Sequence, residues 1–293
     1  MKRICFLMEF RGAGYVHPVI SNVMRELEGR GWHVDTRITE NEPRSIEDFR
    51  VEYDLYVLKS SSPMTDQLAA LIAACGGRTL NDIAAVQRIR NKISVDKFLR
   101  DRGIPIPESY IGGAAQLEAV LEERGPLIIK PIVGRHGVGI RLVRDAEELR
   151  QAASGDGVYA QEFKRGDGFD RKIYVIGGEA WASKKAFAPA SSYLEDAQPV
   201  PLTKEMRAVA LRVGELLGLE IYGVDMIESD DGLWVIDVNG FPGFKGLPGV
   251  EPALTSYIDC RARSGRKVLS AIPGSGGADG ARTRDLRRDR PAL

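Results

Sequence analysis

The sequence predicts an α/β protein, with a small parallel α/β domain at the N-terminus and mixed α+β structure after it. Over residues 1–80, short apolar runs alternate with segments whose apolar residues recur at helical spacing, a pattern typical of βαβ units. Further along, pairs of apolar β-rich runs are joined by short turns that contain glycine, as in antiparallel hairpins. The two patterns indicate two kinds of sheet in one chain.

Composition places the chain among ordinary globular proteins of roughly two domains, since 43% of its 293 residues are hydrophobic and 28% are charged. The formal net charge is zero, so charge gives no argument for a nucleic acid or a membrane as the partner. The three cysteines, Cys5, Cys75 and Cys260, are widely spaced. They suggest neither a disulfide framework nor a metal knuckle, and a reducing cytoplasm is the expected location.

The start of the chain is basic and then apolar, but the apolar run ends at Glu9. That run is too short for the core of a signal peptide. No other stretch approaches the ~20 apolar residues of a membrane span. The sequence therefore predicts no membrane segment.

The N-terminal domain is predicted from alternating strands and helices. The predicted strands lie at residues 4–8, around Val34, at residues 53–58 and at residues 79–80. A helix after the first strand has an apolar stripe and ends at Gly29 or Gly31. Its stripe consists of Val19, Ile20, Val23, Met24 and Leu27, and a second helix is predicted at residues 67–74.

A boundary between domains is predicted between residues 80 and 105. Asn81 and Asp82 are suited to cap a helix, and a second helix is expected at residues 92–102. Pro105 and Pro107 then require extended backbone.

An apolar strand at residues 126–131 contains Lys130 near its end, and a lysine in such a place needs an anionic partner. Three glycines follow before the next strand, namely Gly134, Gly137 and Gly139. The backbone N–H groups of such a hairpin can wrap phosphate oxygens, although a plain turn explains the same glycines.

After a strand at residues 158–163, residues 172–176 and 180–187 are predicted to form a hairpin turned at Gly177 and Gly178. Lys172 shares a strand face with apolar residues, which a purely solvated lysine would not need. Lys184 and Lys185 face opposite ways, so at most one of them points into a given cleft. The alternative is a set of solvated lysines on an edge strand.

A predicted helix at residues 205–217 leads to a hairpin whose second strand ends in oxygen ligands. In that strand Asp237 and Asn239 share one face, and Trp234, Ile236 and Val238 are expected on the other.

The register of this hairpin decides whether a third oxygen ligand joins the other two. A three-residue loop of Asp230, Asp231 and Gly232 would place Asp225 opposite Asp237, whereas a two-residue loop would point Asp225 away. Two carboxylates and an amide, without His or Cys, suit Mg²⁺ or Mn²⁺. The alternative is a solvent-facing strand whose polar residues simply alternate.

The C-terminal segment, from Ser264 to the end, is rich in Gly, Ser, Ala and Arg and has few large apolar residues, so it is predicted to be disordered. From Arg261 onward it carries nine Lys and Arg against three Asp. A solvated tail is the expected role, not a nucleic-acid site.

These motifs, in this order, resemble the ATP-grasp superfamily over residues 1–258. The matching segments are Asn91-Lys92, residues 104–109, Lys130-Pro131, the glycine hairpin, Gln161-Glu162-Phe163, residues 170–177, Asp225 and Asp237-Val238-Asn239. Within the superfamily the spacing of the glycine hairpin is similar to that of RimK-type ligases, which add glutamate or other amino acids to a carboxyl terminus or carrier.

The resemblance implies a two-lobed ATP-grasp fold that binds ATP between two sheets. The N-terminal domain would occupy residues 1–80, the small lobe and hinge 81–165, the large lobe with the metal site 166–260, and the tail 261–293. In this family a carboxylate attacks the γ-phosphate of ATP, and an amine then displaces phosphate from the acyl-phosphate. Such chemistry needs positioning and neutralisation of charge more than a protein nucleophile.

The resemblance also implies roles for individual residues. The phosphate contacts would be Lys92 and Lys130, with Gly134, Gly137 and Gly139 closing over them. The rest of the nucleotide site would be Gln161, Glu162, Phe163 and Asp170. One or two Mg²⁺, or Mn²⁺, would be held by Asp225, Asp237 and Asn239. The transferring phosphoryl group or the acyl substrate would be neutralised by Lys172 and one of Lys184 or Lys185.

Departures from the RimK-type pattern keep other functions open. Asp237 replaces the usual Glu and Lys172 the usual Arg, and with residues 241–246 these features resemble ATP-grasp inositol-polyphosphate kinases. The Ser/His segment of those kinases is missing, and residues 186–200 lack the basic segment of RimK-type ligases.

The first hypothesis is an ATP-dependent carboxylate–amine ligase, the second a kinase for an inositol phosphate or similar polyol, and the third a non-catalytic nucleotide-binding protein. A carboxylate and an amine are the expected partners, nucleic acid and membrane are not, and a homo-oligomer is compatible.

Overall fold

The computed structural model describes residues 2–10, 12, 17–41, 43, 45–131, 139–153, 158–186, 198–244 and 246–264. Three sheets organise these residues: one parallel sheet and two antiparallel ones. In the described part of the chain, no helix combines the length and the apolar character needed to cross a membrane.

The N-terminal domain is the predicted parallel sheet, with strand order β2-β1-β3-β4. Its strands are β1 (Arg3–Met8), β2 (His33–Ile38), β3 (Leu55–Lys59) and β4 (Thr79–Leu80), and its helices are α1 (Pro18–Gly29) and α2 (Pro63–Ala74). Each helix begins with proline, which suits the first helical turn, and is capped by the preceding side chain. The prediction of this α/β domain is confirmed.

Two short helices connect this domain to the rest, as the sequence predicts. They are α3 (Ile83–Arg90) and α4 (Lys92–Arg100), capped by Asp82 and Asn91. Asn81 ties the connection to a strand of the large lobe: its Nδ2 donates to the Ile221 carbonyl at 2.7 Å, and its Oδ1 accepts from the Ile221 N–H at 2.7 Å. The buried amide therefore acts like an added strand residue.

The small lobe is an antiparallel sheet with strand order β5-β8-β6-β7 and two helices on one face. Its elements are β5 (Ser109–Gly112), α5 (Ala114–Arg124), β6 (Leu127–Lys130), β7 (Arg141–Val143), α6 (Ala146–Ala152) and β8 (Val158–Glu162). The sequence predicted β6 and β8 but missed β5 and both helices. Residues Lys130, Tyr159 and Gln161 share the face opposite the helices, because Lys130 pairs with Tyr159.

The large lobe is a five-stranded antiparallel sheet, in the order β11-β10-β9-β12-β13. Its elements are β9 (Phe169–Ile176), β10 (Glu179–Ala186), β11 (Gln198–Val200), α7 (Lys204–Leu217), β12 (Ile221–Ser229), β13 (Gly232–Gly240) and α8 (Val250–Arg263). Pro199 and Val200 pair with β10 as an edge strand, which the sequence did not predict. Proline is tolerated at such an edge.

Helix α8 shows that the predicted tail begins too early. The helix continues past Asp259 to Arg263, Ala262 is buried, and Arg78 donates to the Arg261 carbonyl. The Arg261 side chain also pairs with Glu220 at 2.7 Å. Small and charged residues hid this packing in the sequence, while residues 265–293 lie outside the described part of the chain.

Candidate active site

The hairpin of β12 and β13 places Asp225 beside Asp237, by a route that differs from the prediction. The loop has two residues, since Ser229 pairs with Gly232, so the three-residue loop that the metal hypothesis required is not present. A β-bulge at Ile236 absorbs the extra residue, and Asp225 then pairs with Asp237. The bulge thus restores the register that the metal hypothesis requires.

The bulge also reverses the alternation along β13. Leu233, Val235 and Val238 all lie in one core cluster, so the expectation that Trp234 faces the same way as Val238 is wrong. The Trp234 ring instead lies 4.0 Å from Lys164 Nζ. One extra residue in a strand inverts the facing of every residue on one side of it.

The three predicted metal ligands come together on one face of the large sheet. Asn239 Nδ2 donates to Asp237 Oδ2 at 3.0 Å and to Asp225 Oδ2 at 3.3 Å. Lys172 Nζ lies 3.0 Å from Asp225 Oδ1, and Lys92 Nζ pairs with Asp237 Oδ1. Lysine ammonium groups therefore neutralise both carboxylates in this state.

The donor set fits a hard divalent cation. The described residues contain no group of three or more His, Cys, Asp and Glu side chains able to hold a metal, so such a site depends on two carboxylates and the Asn239 amide. Asp225 Oδ1 is buried 3.0 Å from the Lys172 ammonium, whose place beside the carboxylate a bound cation would take. Rotation of the Asn239 amide would present its oxygen beside the carboxylates. An all-oxygen set of this kind suits Mg²⁺.

Burial and neighbouring charges set the ionisation of this cluster. Burial, together with the Asp237 charge, raises the pKa of Asp225 against the opposing effect of Lys172. Burial would also raise the pKa of Asp237, but Lys92 and Lys130 lower it below its usual value. Burial alone would lower the pKa of Lys172, but the Asp225 carboxylate raises it. Asp237 is thus the carboxylate held most firmly in its charged form.

Lys130 joins the small lobe to the large lobe. Its Nζ donates to Gln161 Oε1 at 2.8 Å and to the Ile236 carbonyl, at the bulge, at 2.8 Å. Both hydrogen-bond acceptors are neutral oxygens. Burial lowers the pKa of Lys130, and the nearby Asp237 and Asp96 charges oppose that effect. A buried cation of this kind is suited to receive a ligand anion.

The predicted hinge residues Gln161, Glu162 and Phe163, at the end of β8, do not all face the cleft. Gln161 is buried in the cleft beside Lys130, whereas the Glu162 side chain points elsewhere and lies 3.6 Å from Lys164. The Glu162 and Phe163 N–H groups donate to the carbonyls of Glu108 and Pro126. Of the hinge side chains, the structure therefore brings Gln161 into the cleft.

Strand register decides between the two lysines of β10. Lys185 pairs with Asp170, while Lys172 pairs with Asp225 on the adjacent strand, so these four residues share the site face. Lys184 lies on the opposite face, with its ammonium 4.7 Å from the Phe169 ring. Lys184 is therefore excluded from the cleft, and Lys185 is the remaining candidate.

Of the predicted glycine hairpin, Gly134 and Gly137 lie outside the described residues. Gly139 has φ +86°, a left-handed conformation that favours glycine, and a Cβ there would lie 3.3 Å from Pro131 Cγ. The backbone at Gly139 therefore requires glycine.

Comparison with known proteins decides the family. A model of the RimK-like ATP-grasp domain matches residues 89–251. A probable alpha-L-glutamate ligase from Thioalkalivibrio sulfidiphilus (strain HL-EbGR7) is 31% identical over 207 residues, or 64% of this chain and 69% of that protein. The chain belongs to the RimK-like ATP-grasp family.

Solved structures show the ATP-grasp fold. A RimK domain protein from Sphaerobacter thermophilus DSM 20745 aligns with a TM-score of 0.73 and 20% identity, covering 89% of this chain and 99% of the other. The ATP-grasp ligase PsnB, complexed with a minimal precursor, Mg and ADP, aligns with a TM-score of 0.65 and 17% identity over 89% of this chain and 97% of its own. The predictions of an ATP-grasp fold and of a RimK-type ligase are confirmed, and use of ATP and Mg²⁺ follows from the family.

Sequence reasoning missed three residues of this ATP-grasp cleft. Asp96, Tyr159 and Ser109 form a hydrogen-bonded group beside Gln161. Spacing could have found two of them: Asp96 lies four residues after Lys92 on a helix, and Tyr159 lies two residues before Gln161 on a strand.

Asp170, in the large lobe, should make the free energy of unfolding depend on pH. Burial and the Asp225 charge raise the pKa of Asp170 to about 6 in the folded chain, whereas an unfolded aspartate has a pKa of about 3.9. The folded chain favours the protonated form of Asp170. The stability that this preference contributes is complete below about pH 4 and is lost as the pH rises through about 6. In metal-free protein, Asp170→Asn should therefore gain stability over wild type by up to about 3 kcal/mol between pH 4 and pH 7. Urea unfolding at several pH values measures the difference.

Asp167→Asn is the matched control for this measurement, because Asp167 lies two residues before the same strand. Hydrogen bonds from Arg171 lower the pKa of Asp167, so its contribution is lost as the pH falls and the sign is opposite. A stability difference between wild type and Asp170→Asn that stays constant from pH 4 to pH 7 would contradict the assignment.

Proposed function

We propose that this ligase activates a substrate carboxylate as an acyl-phosphate, which an amine then attacks. One observation carries the proposal. Lys92 Nζ pairs with Asp237, and Lys130 Nζ donates to the Ile236 carbonyl, so two ammonium groups and the carboxylate cluster meet at one point between two sheets.

Charge decides how a nucleoside triphosphate would lie in this cleft. The triphosphate would lie at the end where Lys92 and Lys130 point. The glycines predicted to close over it are Gly139 and, outside the described residues, Gly134 and Gly137. The nucleoside would then extend toward the hinge. Asp170 would lie on the large-lobe side of the same cleft, because it shares the face of Lys172.

Asp225, Asp237 and Asn239 would hold one or two Mg²⁺, and the same donor set would accept Mn²⁺. The bound cation would neutralise charge on the β- and γ-phosphates during transfer. Lys92 and Lys172, which now pair with these carboxylates, would turn toward phosphate oxygens when the cation replaces them.

In the first step, a carboxylate oxygen of the substrate forms a bond to the γ-phosphorus, and the bond from that phosphorus to the β–γ bridging oxygen breaks, so ADP leaves. In the second step, the amine nitrogen bonds to the acyl carbon, and phosphate leaves with the electrons of the broken carbon–oxygen bond. Lys172 and Lys185 would neutralise the transferring phosphoryl group and the acyl substrate. Positioning and charge account for this chemistry without a protein nucleophile.

The names of the relatives suggest the substrates. Glutamate is the first amine to test, because the curated relative is a probable alpha-L-glutamate ligase. PsnB, complexed with a minimal precursor, suggests a peptide as one form of the carboxylate substrate.

The test is phosphate release from ATP and Mg²⁺ with pools of carboxylates and amines, glutamate included, followed by mass spectrometry of the product. A ligase yields a product whose mass equals the two substrates minus water. A stable product heavier by one phosphoryl group would overturn the ligase in favour of the polyol kinase.

A further inference from the structure

Lys130 is held by one acceptor from each lobe. Its Nζ donates to Gln161 Oε1 of the small lobe and to the Ile236 carbonyl of the large lobe, both at 2.8 Å. Ile236 is the extra residue of the bulge in β13 and has no partner on β12, so the bulge supplies the second acceptor. An ammonium group has three N–H donors. Among the described residues two of them have acceptors, and one remains for a ligand.

Both acceptors are neutral, which distinguishes Lys130 from the other two lysines beside the carboxylate cluster. Lys92 pairs with Asp237 and Lys172 with Asp225, so carboxylates already compensate those two charges. Lys130 is buried and lines the same pocket as Lys92 and Asp237. A buried ammonium group that donates only to neutral oxygens gains most from a phosphate oxygen at its remaining N–H.

The Gln161 amide can hold Lys130 in one orientation only, and Asp96 sets that orientation. Gln161 is 2% exposed, and its Nε2 donates to Asp96 Oδ2 at 3.0 Å. A carboxylate oxygen accepts hydrogen bonds, so it faces the NH₂ end of the amide and leaves Oε1 toward Lys130. In the reversed amide, NH₂ would meet the ammonium group and oxygen would meet the carboxylate, and both contacts would be repulsive. Donor and acceptor chemistry thus fixes the order Asp96, Gln161, Lys130.

We infer that Gln161 is a positioning residue, which directs the Lys130 ammonium group toward the phosphates of ATP, and that Asp96 keeps the amide in the required orientation. This inference rests on the nucleotide placement of the proposed function. Gln161 then acts through Lys130 and not through a contact of its own with the nucleotide. A substitution of Gln161 should therefore have no effect on ATP binding where Lys130 is already absent.

The experiment is a double-mutant cycle on the binding of Mg²⁺-ATP to the full chain, measured by calorimetry without carboxylate or amine. Lys130→Met should weaken binding by about ten- to a hundredfold, because it removes a hydrogen bond from a charged group. Gln161→Met should weaken it by about tenfold, and the double variant should bind within about twofold of Lys130→Met. Gln151→Met is the control, because it makes the same change at an exposed glutamine on α6, and it should bind within about twofold of wild type.

A second pair of variants tests the orientation of the amide, and it remains decisive if Lys130→Met binds too weakly to measure. Asp96→Ala removes the acceptor that faces Gln161 Nε2, so it should weaken ATP binding by about tenfold. Asp96→Asn can present its oxygen in place of Oδ2, because Tyr159, Gln161 and Ser109 all donate there. It should therefore bind ATP at least about fivefold more tightly than Asp96→Ala. Thermal unfolding shows whether each variant is folded.

Two results would overturn the inference and leave the proposed function standing. If the double variant binds ATP about tenfold more weakly than Lys130→Met, the two effects add, and Gln161 does not act through Lys130. If a folded Asp96→Asn chain binds as weakly as Asp96→Ala, the charge of Asp96 matters and the orientation of the amide does not. If wild type does not bind Mg²⁺-ATP, the proposed function fails together with the inference.

Discussion

Asp237→Ala is expected to abolish Mg²⁺-dependent turnover of ATP while leaving the chain folded. Asp237 is the carboxylate held most firmly ionised, since Lys92 and Lys130 lower its pKa against the effect of burial. Loss of one ligand to a catalytic cation removes several kcal/mol of transition-state stabilisation, or about a thousandfold in rate. Steady-state phosphate release with saturating ATP measures the effect.

The matched control is Asp230→Ala, on the exposed loop of the same hairpin. It removes the same group from the same hairpin but leaves the cleft unchanged, so its rate should stay within about twofold of wild type. Thermal unfolding of both variants separates loss of the site from loss of the fold. Full turnover in a folded Asp237→Ala chain would refute the metal assignment.

The same hairpin shows what a sequence can and cannot predict. Alternation along β13 correctly grouped Asp237 with Asn239, because both lie beyond the bulge at Ile236. It misplaced Trp234, which lies before the bulge. A bulge leaves no signal in periodicity beyond one extra apolar residue. The expectation that a two-residue loop would point Asp225 away was therefore wrong, because the bulge brings Asp225 back opposite Asp237.

Contacts between residues that lie far apart in the sequence could not be predicted either. The parallel sheet was predictable because its two central strands, β1 and β3, are nearly continuous apolar runs. Asp96 and Tyr159 meet Gln161 only after α4 packs against the small lobe, and neither residue type in isolation indicates a ligand. Lys185 could be separated from Lys184 only by the pairing of Lys185 with Asp170, which is a property of the folded sheet.

The turn after the proposed metal ligands is strained, and both of its aromatic residues are buried. Phe241 and Phe244 have φ of 47° and 57°, a left-handed conformation that aromatic residues rarely adopt. Both rings are buried, and Phe244 lies 5.4 Å from the Tyr174 ring and 6.2 Å from the Phe241 ring, centroid to centroid. Lys59, at the end of β3, donates to the Phe241 carbonyl at 3.1 Å. The turn therefore fixes the metal strand to the N-terminal domain.

Phe244→Ala should lower the free energy of unfolding by about 3–5 kcal/mol, because it leaves a cavity in a core shared by β1, β9 and α8. Phe10→Ala, at a 55% exposed side chain, is the control and should change it by less than about 0.5 kcal/mol. Phe244→Gly separates strain from packing. Glycine usually costs about 0.5–1 kcal/mol relative to alanine, but at φ 57° it escapes a left-handed penalty of about 1–2 kcal/mol. Denaturant unfolding should therefore find the glycine variant at least as stable as the alanine variant, and the reverse order would show that Phe244 is not held in a left-handed conformation.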